Sequence, residues 1–251
     1  VIPRIKRARW TRAGRTLNVE AYGLVHGRSF QYFDTLTRNL REFDSGLSFG
    51  AGARGEIYPL ILKRKSGTTR RIGLVGGYAQ DFGIQPSVAD VPDVTLEHAW
   101  REWFAGAAVA WDFKNILIRA QATYGEYSAT FTATEEFAAA AELPSVSYQN
   151  LGLGLFGRYE MSNLSLLAET QYFFIRSAGR VGNELFPNAA VGGLRVRGGI
   201  SAPLFSGVEI FAAGVYDHFF YDMRPGRGDE FLAGGALDLQ FTGELGMSYA
   251  Y

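Results

Sequence analysis

Asp217 and His218 stand side by side in VEIFAAGVYDHFFYD, an acid next to a base, the pairing a hydrolase uses to activate water. In an extended segment, however, neighbouring residues point to opposite faces. The two cannot share one water unless a bulge intervenes. His26 with Ser29 is a second candidate, a base near a hydroxyl nucleophile, but a separation of three again puts them on opposite faces. His98 falls in a stretch read as a loop. A hydrogen-bonded or interfacial position at the rim is the expectation for all three histidines. Asp229 and Glu230 near Asp222 have cation-binding chemistry, although a solvated acidic loop accounts for them equally well. GAGARG (Gly50 to Gly55) has the glycine density of a phosphate loop, yet it lies inside a strand with no helix after it, so phosphate chemistry does not follow. Cysteine is absent, which removes thiolate metal sites and cysteine nucleophiles. No catalytic set, metal site or cofactor is expected.

What must position these residues is strand. The chain has 251 residues, 47% of them hydrophobic, with 31 Gly, 19 Phe and 13 Tyr. Disorder is excluded on that composition, and a formal net charge of zero offers no field for nucleic acid. No apolar run approaches the roughly 18 residues a membrane-crossing helix needs; FAAAAEL (Phe137 to Leu143) comes nearest. The chain opens at Val1 without Met or an apolar signal core, consistent with a removed leader or with a start inside a longer product.

A two-residue period marks about ten segments, from Leu17-Val19-Ala21-Val25 to Leu239-Phe241-Leu245-Met247-Tyr249-Tyr251. Tight turns at Lys114-Asn115, Met161 to Asn163 and Leu204 to Ser206 alternate with longer connections at Ser29 to Asp44, Gly83 to His98, Ala129 to Val146, Arg176 to Ala189 and Met223 to Gly235. The pattern is all-β: an antiparallel up-and-down barrel of about ten strands. Residues 16–251 form this barrel and 1–15 a basic arm.

Alternation alone does not say which face points inward. The polar parity carries Glu20, Arg54, Glu56, Glu102, Asp112, Arg119, Arg158, Glu169, Arg195, Arg197, Glu209, Asp238 and Glu244, but no lysine; all four lysines lie outside the strands. A water-facing surface uses lysine freely, whereas a confined interior favours the planar guanidinium, which grips a carboxylate with two hydrogen bonds. The polar parity therefore lines a lumen and the apolar parity meets lipid. Aromatics gather at both ends of the apolar stripes. Tyr78, Trp103, Tyr124, Tyr172 and Tyr216 fall toward the long loops, with Trp111, Tyr159, Tyr249 and Tyr251 toward the short turns. Trp103 and Trp111 are eight residues apart, roughly 20 Å along a tilted strand, so these read as two interfacial girdles.

From Thr16 to Tyr251 the chain resembles the bacterial outer-membrane β-barrel proteins, carried by the meander, the loop asymmetry, SGLSFGAGARGEIYPL (Ser45 to Leu60) and AGGALDLQFTGELGMSYAY (Ala233 to Tyr251). The terminal alternation is similar to the assembly signal of that class, although those chains more often end in Phe than in Tyr. The resemblance implies a Gram-negative outer-membrane location, both termini in the periplasm, contact with outer-membrane lipids and insertion by the barrel-assembly machinery. It implies no single activity. Ten-stranded proteases of the omptin type separate their Asp and His by one residue, and Asp217-His218 departs from that.

The arm VIPRIKRARWTRAGR holds Arg4, Lys6, Arg7, Arg9, Arg12 and Arg15 with no acid, suited to anionic headgroups or an acidic partner, although a frayed polar terminus accounts for it as readily. A barrel of this size is barely wider than one filled by its own side chains, and buried charges of both signs pair. The expected function is therefore a structural or interaction component of a larger envelope assembly, with a mostly plugged, charged lumen. A narrow porin-like channel is the alternative, and an outer-membrane protease or lipase the third.

Overall fold

The computed structural model describes residues 16–37, 40, 42–61, 71–83, 87–88, 91–95, 97–132, 144–226 and 228–251. The basic arm, including Arg4, Lys6, Arg7, Arg9 and Arg12, lies outside them, as does FAAAAEL. Ten strands close into an antiparallel barrel: β1 (Leu17–Phe33), β2 (Phe43–Ile57), β3 (Ile72–Asp81), β6 (Glu97–Phe113), β7 (Ile116–Thr132), β8 (Val146–Glu160), β9 (Ser165–Ala178), β10 (Ala190–Phe205), β11 (Val208–Asp222) and β12 (Gly235–Ala250). Between β3 and β6, a small separate hairpin pairs β4 (Ser87–Val88) with β5 (Val91–Thr95). Closure is complete because β1 pairs along its length with β12, from Asn18 opposite Ala250 to Phe33 opposite Gly235. At the short-turn end the first and last strands are tied together, Tyr251 N–H donating to Leu17 O at 2.9 Å.

The register sets the tilt. Stepping from partner to partner starting at Phe113, through Ile116, Tyr159, Leu166, Ile200, Ala212, Leu245, Gly23, Ala51 and Gln80, returns to β6 at Arg101, a stagger of twelve residues. Ten strands with that stagger tilt by about 40°, so each residue rises about 2.5 Å along the axis. Strands of 15 to 17 residues are then about 40 Å tall, well beyond the ~25 Å apolar band of an outer-membrane barrel. The barrel projects past such a band at its loop end.

This height corrects the strand limits read from periodicity. Ser29 to Phe33, Glu97 to His98 and Ala129 to Thr132 are strand, not loop. The reason is an inversion of pattern partway up. Near the turns the outward residues are apolar, such as Val19, Leu74 and Leu155, and the inward ones charged. Higher on β1, β3 and β6 to β9, Gln31, Gln80, Arg101, Gln149 and Arg176 face outward, while Phe30, Tyr32, Trp100, Tyr127 and Tyr148 are buried inside. The lower half alternates as in lipid; on these strands the upper half alternates as a barrel in water does, with its core within, whereas Phe220 keeps the outside of β11 apolar.

Candidate functional site

The lumen holds the buried clusters of charged side chains among the described residues, in layers from the turn end upward. In the lowest layer Arg158 donates to both oxygens of Glu209, Nη1 to Oε2 at 2.9 Å and Nη2 to Oε1 at 2.8 Å, and also to Ser165 Oγ. Arg119 meets Glu56, which further accepts from Asn18 and Tyr58. Gln121 Nε2 donates to Glu169 at 2.8 Å. Asp112 sits apart at the rim, 3.6 Å from Arg71. Mid-barrel, Arg54 joins Glu20 (2.6 Å) to Glu244, gripping the latter with Nη1 and Nη2 at 2.9 and 2.7 Å, and Arg197 shares the same Glu244 oxygen at 3.1 Å. Above them Arg195 bridges Glu102 and Asp217 with paired hydrogen bonds to each. These forks are the geometry that selects arginine over lysine in a confined space.

Several of these side chains stack on rings as well: Arg54 lies 4.6 Å from the Tyr22 centroid and Arg119 4.6 Å from Phe156. A cavity of about 80 Å³ threads the mid-lumen between Glu20, Arg54, Arg119, Glu169, Arg195 and Asp217. It has room for a few waters. Its lining reaches Trp100 but includes none of Tyr127, Tyr148, Phe219 or Tyr221.

Those rings form the top layer. Tyr148 stacks on Phe219 at 4.1 Å, Phe173 stacks on Phe219 at 5.9 Å, Tyr127 lies 5.8 Å from both Tyr148 and Phe219, and Trp100 meets Tyr127 edge-on. One ion pair is sunk among them: Arg28 holds Asp238 through two bonds of 2.9 and 3.0 Å, and Tyr148 Oη donates to the same carboxylate at 2.6 Å. Over the layer fold Val181, Leu185 and Phe186 of the β9–β10 connection with Met223 of the β11–β12 one, all buried.

The structure thus brings the expected interior charges together, and it shows a neutral tier that periodicity missed. Arg28, Trp100, Tyr127, Tyr148 and Phe219 lie on the inward parity just past the apolar stripes drawn from sequence, which stop at Val25, Trp103, Tyr124, Leu151 and Tyr216; carrying that parity a few residues further toward the long loops reaches all five. Histidine positions are corrected too. His98 lies on β6, not in a loop, and is buried with Nδ1 3.4 Å from Asp81 Oδ2. His26 is inside the barrel rather than at an interface, its Nδ1 3.0 Å from Thr242 Oγ1 and its ring stacked on Trp100 at 4.5 Å. Asp217 points inward to Arg195 while His218 faces out between Tyr216 and Phe220, so the two share no water. Ser29 and His26 stay on opposite faces.

On the outside, the register carries Tyr78, Trp103, Tyr124, Tyr172 and Tyr216 to within about 3 Å of one height. Trp111, Tyr159, Tyr249 and Tyr251 fall within about 5 Å of a second height about 18 Å lower. Between the two heights the outward side chains are Leu153, Leu155, Val196, Ile200, Leu245 and their like, exposed and apolar.

No protein-family model matches the chain, and no curated protein matches it in sequence. Solved structures do match in shape. The outer membrane protease OmpT from Escherichia coli aligns over 94% of this chain and 97% of its own with a TM-score of 0.54 at 9% identity. The toluene transporter TbuX of Ralstonia pickettii covers 94% and 90% at TM-score 0.40 and 9% identity. The translocator domain of autotransporter NalP from Neisseria meningitidis covers 94% and 88% at 0.39 and 12%. With its full closure, outward apolar belt and polar interior, the chain has the fold of the small bacterial outer-membrane β-barrels.

Proposed function

We propose that this protein is a closed, non-enzymatic outer-membrane anchor, a structural or interaction component of an envelope assembly. The carrying observation is the filled lumen. Arginines paired to carboxylates occupy the span between the two aromatic heights, and the stacked Trp100, Tyr127, Tyr148 and Phe219 layer sits above it. Every such charge would be expensive to bury alone, and pairing removes the reason for an ion or solute to replace it. The two heights of outward aromatics fit the membrane interfaces, where amphipathic rings settle. The cavity of about 80 Å³ is the observation on the side of a narrow channel, but its lining reaches the aromatic layer only at Trp100 and includes none of Tyr127, Tyr148 or Phe219. A protease or lipase reading gains nothing from Asp217 and His218, which face opposite ways.

Planar-bilayer recording of the purified full chain tests the closed lumen: no unitary conductance is expected, and stable single-channel steps at neutral pH would sink the reading. Gentle detergent extraction followed by affinity capture tests the anchor role. A stoichiometric envelope protein is expected in the eluate, and recovery of the barrel alone after mild cross-linking counts against it.

A further inference from the structure

Arginines in this barrel are paired almost without exception. Among the described residues, those in the lumen grip carboxylates, and outside it Arg71 meets Asp112, Arg180 meets Glu184 and Arg224 meets Asp222. Two differ. Arg101 on β6 and Arg176 on β9 are exposed, face outward, and have no hydrogen bond, ion pair or ring contact. The nearest outward carboxylate on the neighbouring strand, Glu126, is turned away from Arg101 to accept from Ser147 Oγ at 2.8 Å.

Their placement is not scattered. Counted through the register, including the bulge at Gln149/Asn150, Arg101 and Arg176 lie within about 3 Å of the same height, roughly 5 to 9 Å above the upper ring of aromatics. Each stands two residues above an outward ring on its own strand, Arg101 over Trp103 and Arg176 over Phe174. Those rings are themselves paired with neighbours, Trp103 edge-on to Tyr124 at 6.0 Å and Phe174 to Tyr172 at 4.8 Å. Beside Arg101 across the strand pair is Gln80, whose Oε1 accepts from Tyr78 Oη at 2.7 Å, which leaves its amide N–H groups facing outward at the same level.

We propose that Arg101 with Gln80, and Arg176, are docking points for phosphate-bearing lipid headgroups of the leaflet at the loop end, the acyl chains lying against the aromatic pairs below. The inference rests on the barrel spanning a bilayer and is independent of whether the lumen is closed. Charge complementarity selects the occupant. An unpaired guanidinium several ångströms above an apolar band meets the phosphate layer of a leaflet, where each basic group strengthens anionic-lipid binding about five-fold. A water-soluble anion would find the same charge but no use for the rings.

The test is lipid retention by the full chain refolded into nanodiscs of phosphatidylcholine with one fifth phosphatidylglycerol, read as the lipid ratio that co-purifies after transfer to mild detergent. The wild type is expected to enrich phosphatidylglycerol at least five-fold. Arg101→Gln with Arg176→Gln is expected to bring the ratio close to that of the bulk mixture, and Arg101→Lys with Arg176→Lys to keep part of it. Heat-modifiable gel migration shows that each variant is a closed barrel. An unchanged ratio in the double Gln variant overturns the proposal, as does displacement of the lipid by millimolar inorganic phosphate, which would mark a free-phosphate site. Failure of the wild type to insert would instead strike the membrane-spanning reading itself.

Discussion

Arg28 on the first strand and Asp238 on the last are joined by two hydrogen bonds, Nε to Oδ1 at 2.9 Å and Nη2 to Oδ2 at 3.0 Å, with neither side chain exposed. Breaking such a pair from one side leaves the other charge buried and alone, which costs about 3–5 kcal/mol. Arg28→Met is therefore expected to lower the denaturant midpoint of the reconstituted barrel strongly. The double variant Arg28→Met with Asp238→Leu should recover most of that loss. Equal destabilisation in both would show that the pair's charge is not what matters.

The aromatic layer is expected to be the seal of the lumen. Replacing Trp100, Tyr148 and Phe219 together with Ala removes three stacked or edge-packed rings directly above the charged cavity. Single-channel conductance should appear in the triple variant under conditions where the wild type is silent. Continued silence in a variant that still migrates as a folded barrel would move the seal elsewhere.

Depth along β8 should decide the effect of an added charge on the outside. Leu155 lies midway between the two aromatic heights and Gln149 above the upper one, both facing outward. Leu155→Arg is expected to destabilise the barrel in lipid by about 2–4 kcal/mol, and Gln149→Arg by no more than about 1 kcal/mol. Urea titration in matched vesicles measures both, and equal effects would contradict a membrane boundary between these positions.

Glycines divide by what a methyl group would meet. A Cβ at Gly106 would lie 2.1 Å from Ala122 O and 2.7 Å from Thr123 Cα, both backbone atoms that cannot step aside, whereas at Gly243 nothing lies within 4 Å. Gly106→Ala is expected to cost about 1–3 kcal/mol through overpacking, and Gly243→Ala to be neutral or slightly stabilising. Thermal or denaturant unfolding of the two single variants separates them.

The lower half of this barrel was legible in the sequence because one rule governs it: lipid outside, confined charge inside. Leu151, Leu153 and Leu155 announce the outward face, and Arg54, Arg195 and Glu244 the inward one. Much of the upper half was not, because on β1, β3 and β6 to β9 the exterior there turns polar and the apolar residues move to the other parity. Phe30 and Tyr32 look like a break in the stripe when only the lower rule is applied, so their segment reads as a loop, and Trp100 beside Arg101 falls short of the stripe that starts at Trp103. The pairing of individual charges was beyond reach for a different reason. Arg195 with Glu102, or Arg54 with Glu244, joins residues 93 and 190 positions apart, and only the closed cylinder brings them face to face.

The join between the first and last strands is also a seam of buried charge. Asp238 receives its arginine from β1, and Glu244 receives one from β2 across β1 and another from β10. Backbone ladder and buried ion pairs therefore lie along the same seam, with Arg28 and the outer fork of Arg54 both held by β12. The seam is thus a latch, and prising it apart would strip partners from Arg28 and Arg54 as well as the ladder. A barrel opened there should be recognisable by its exposed guanidinium groups, and a closed one by their burial.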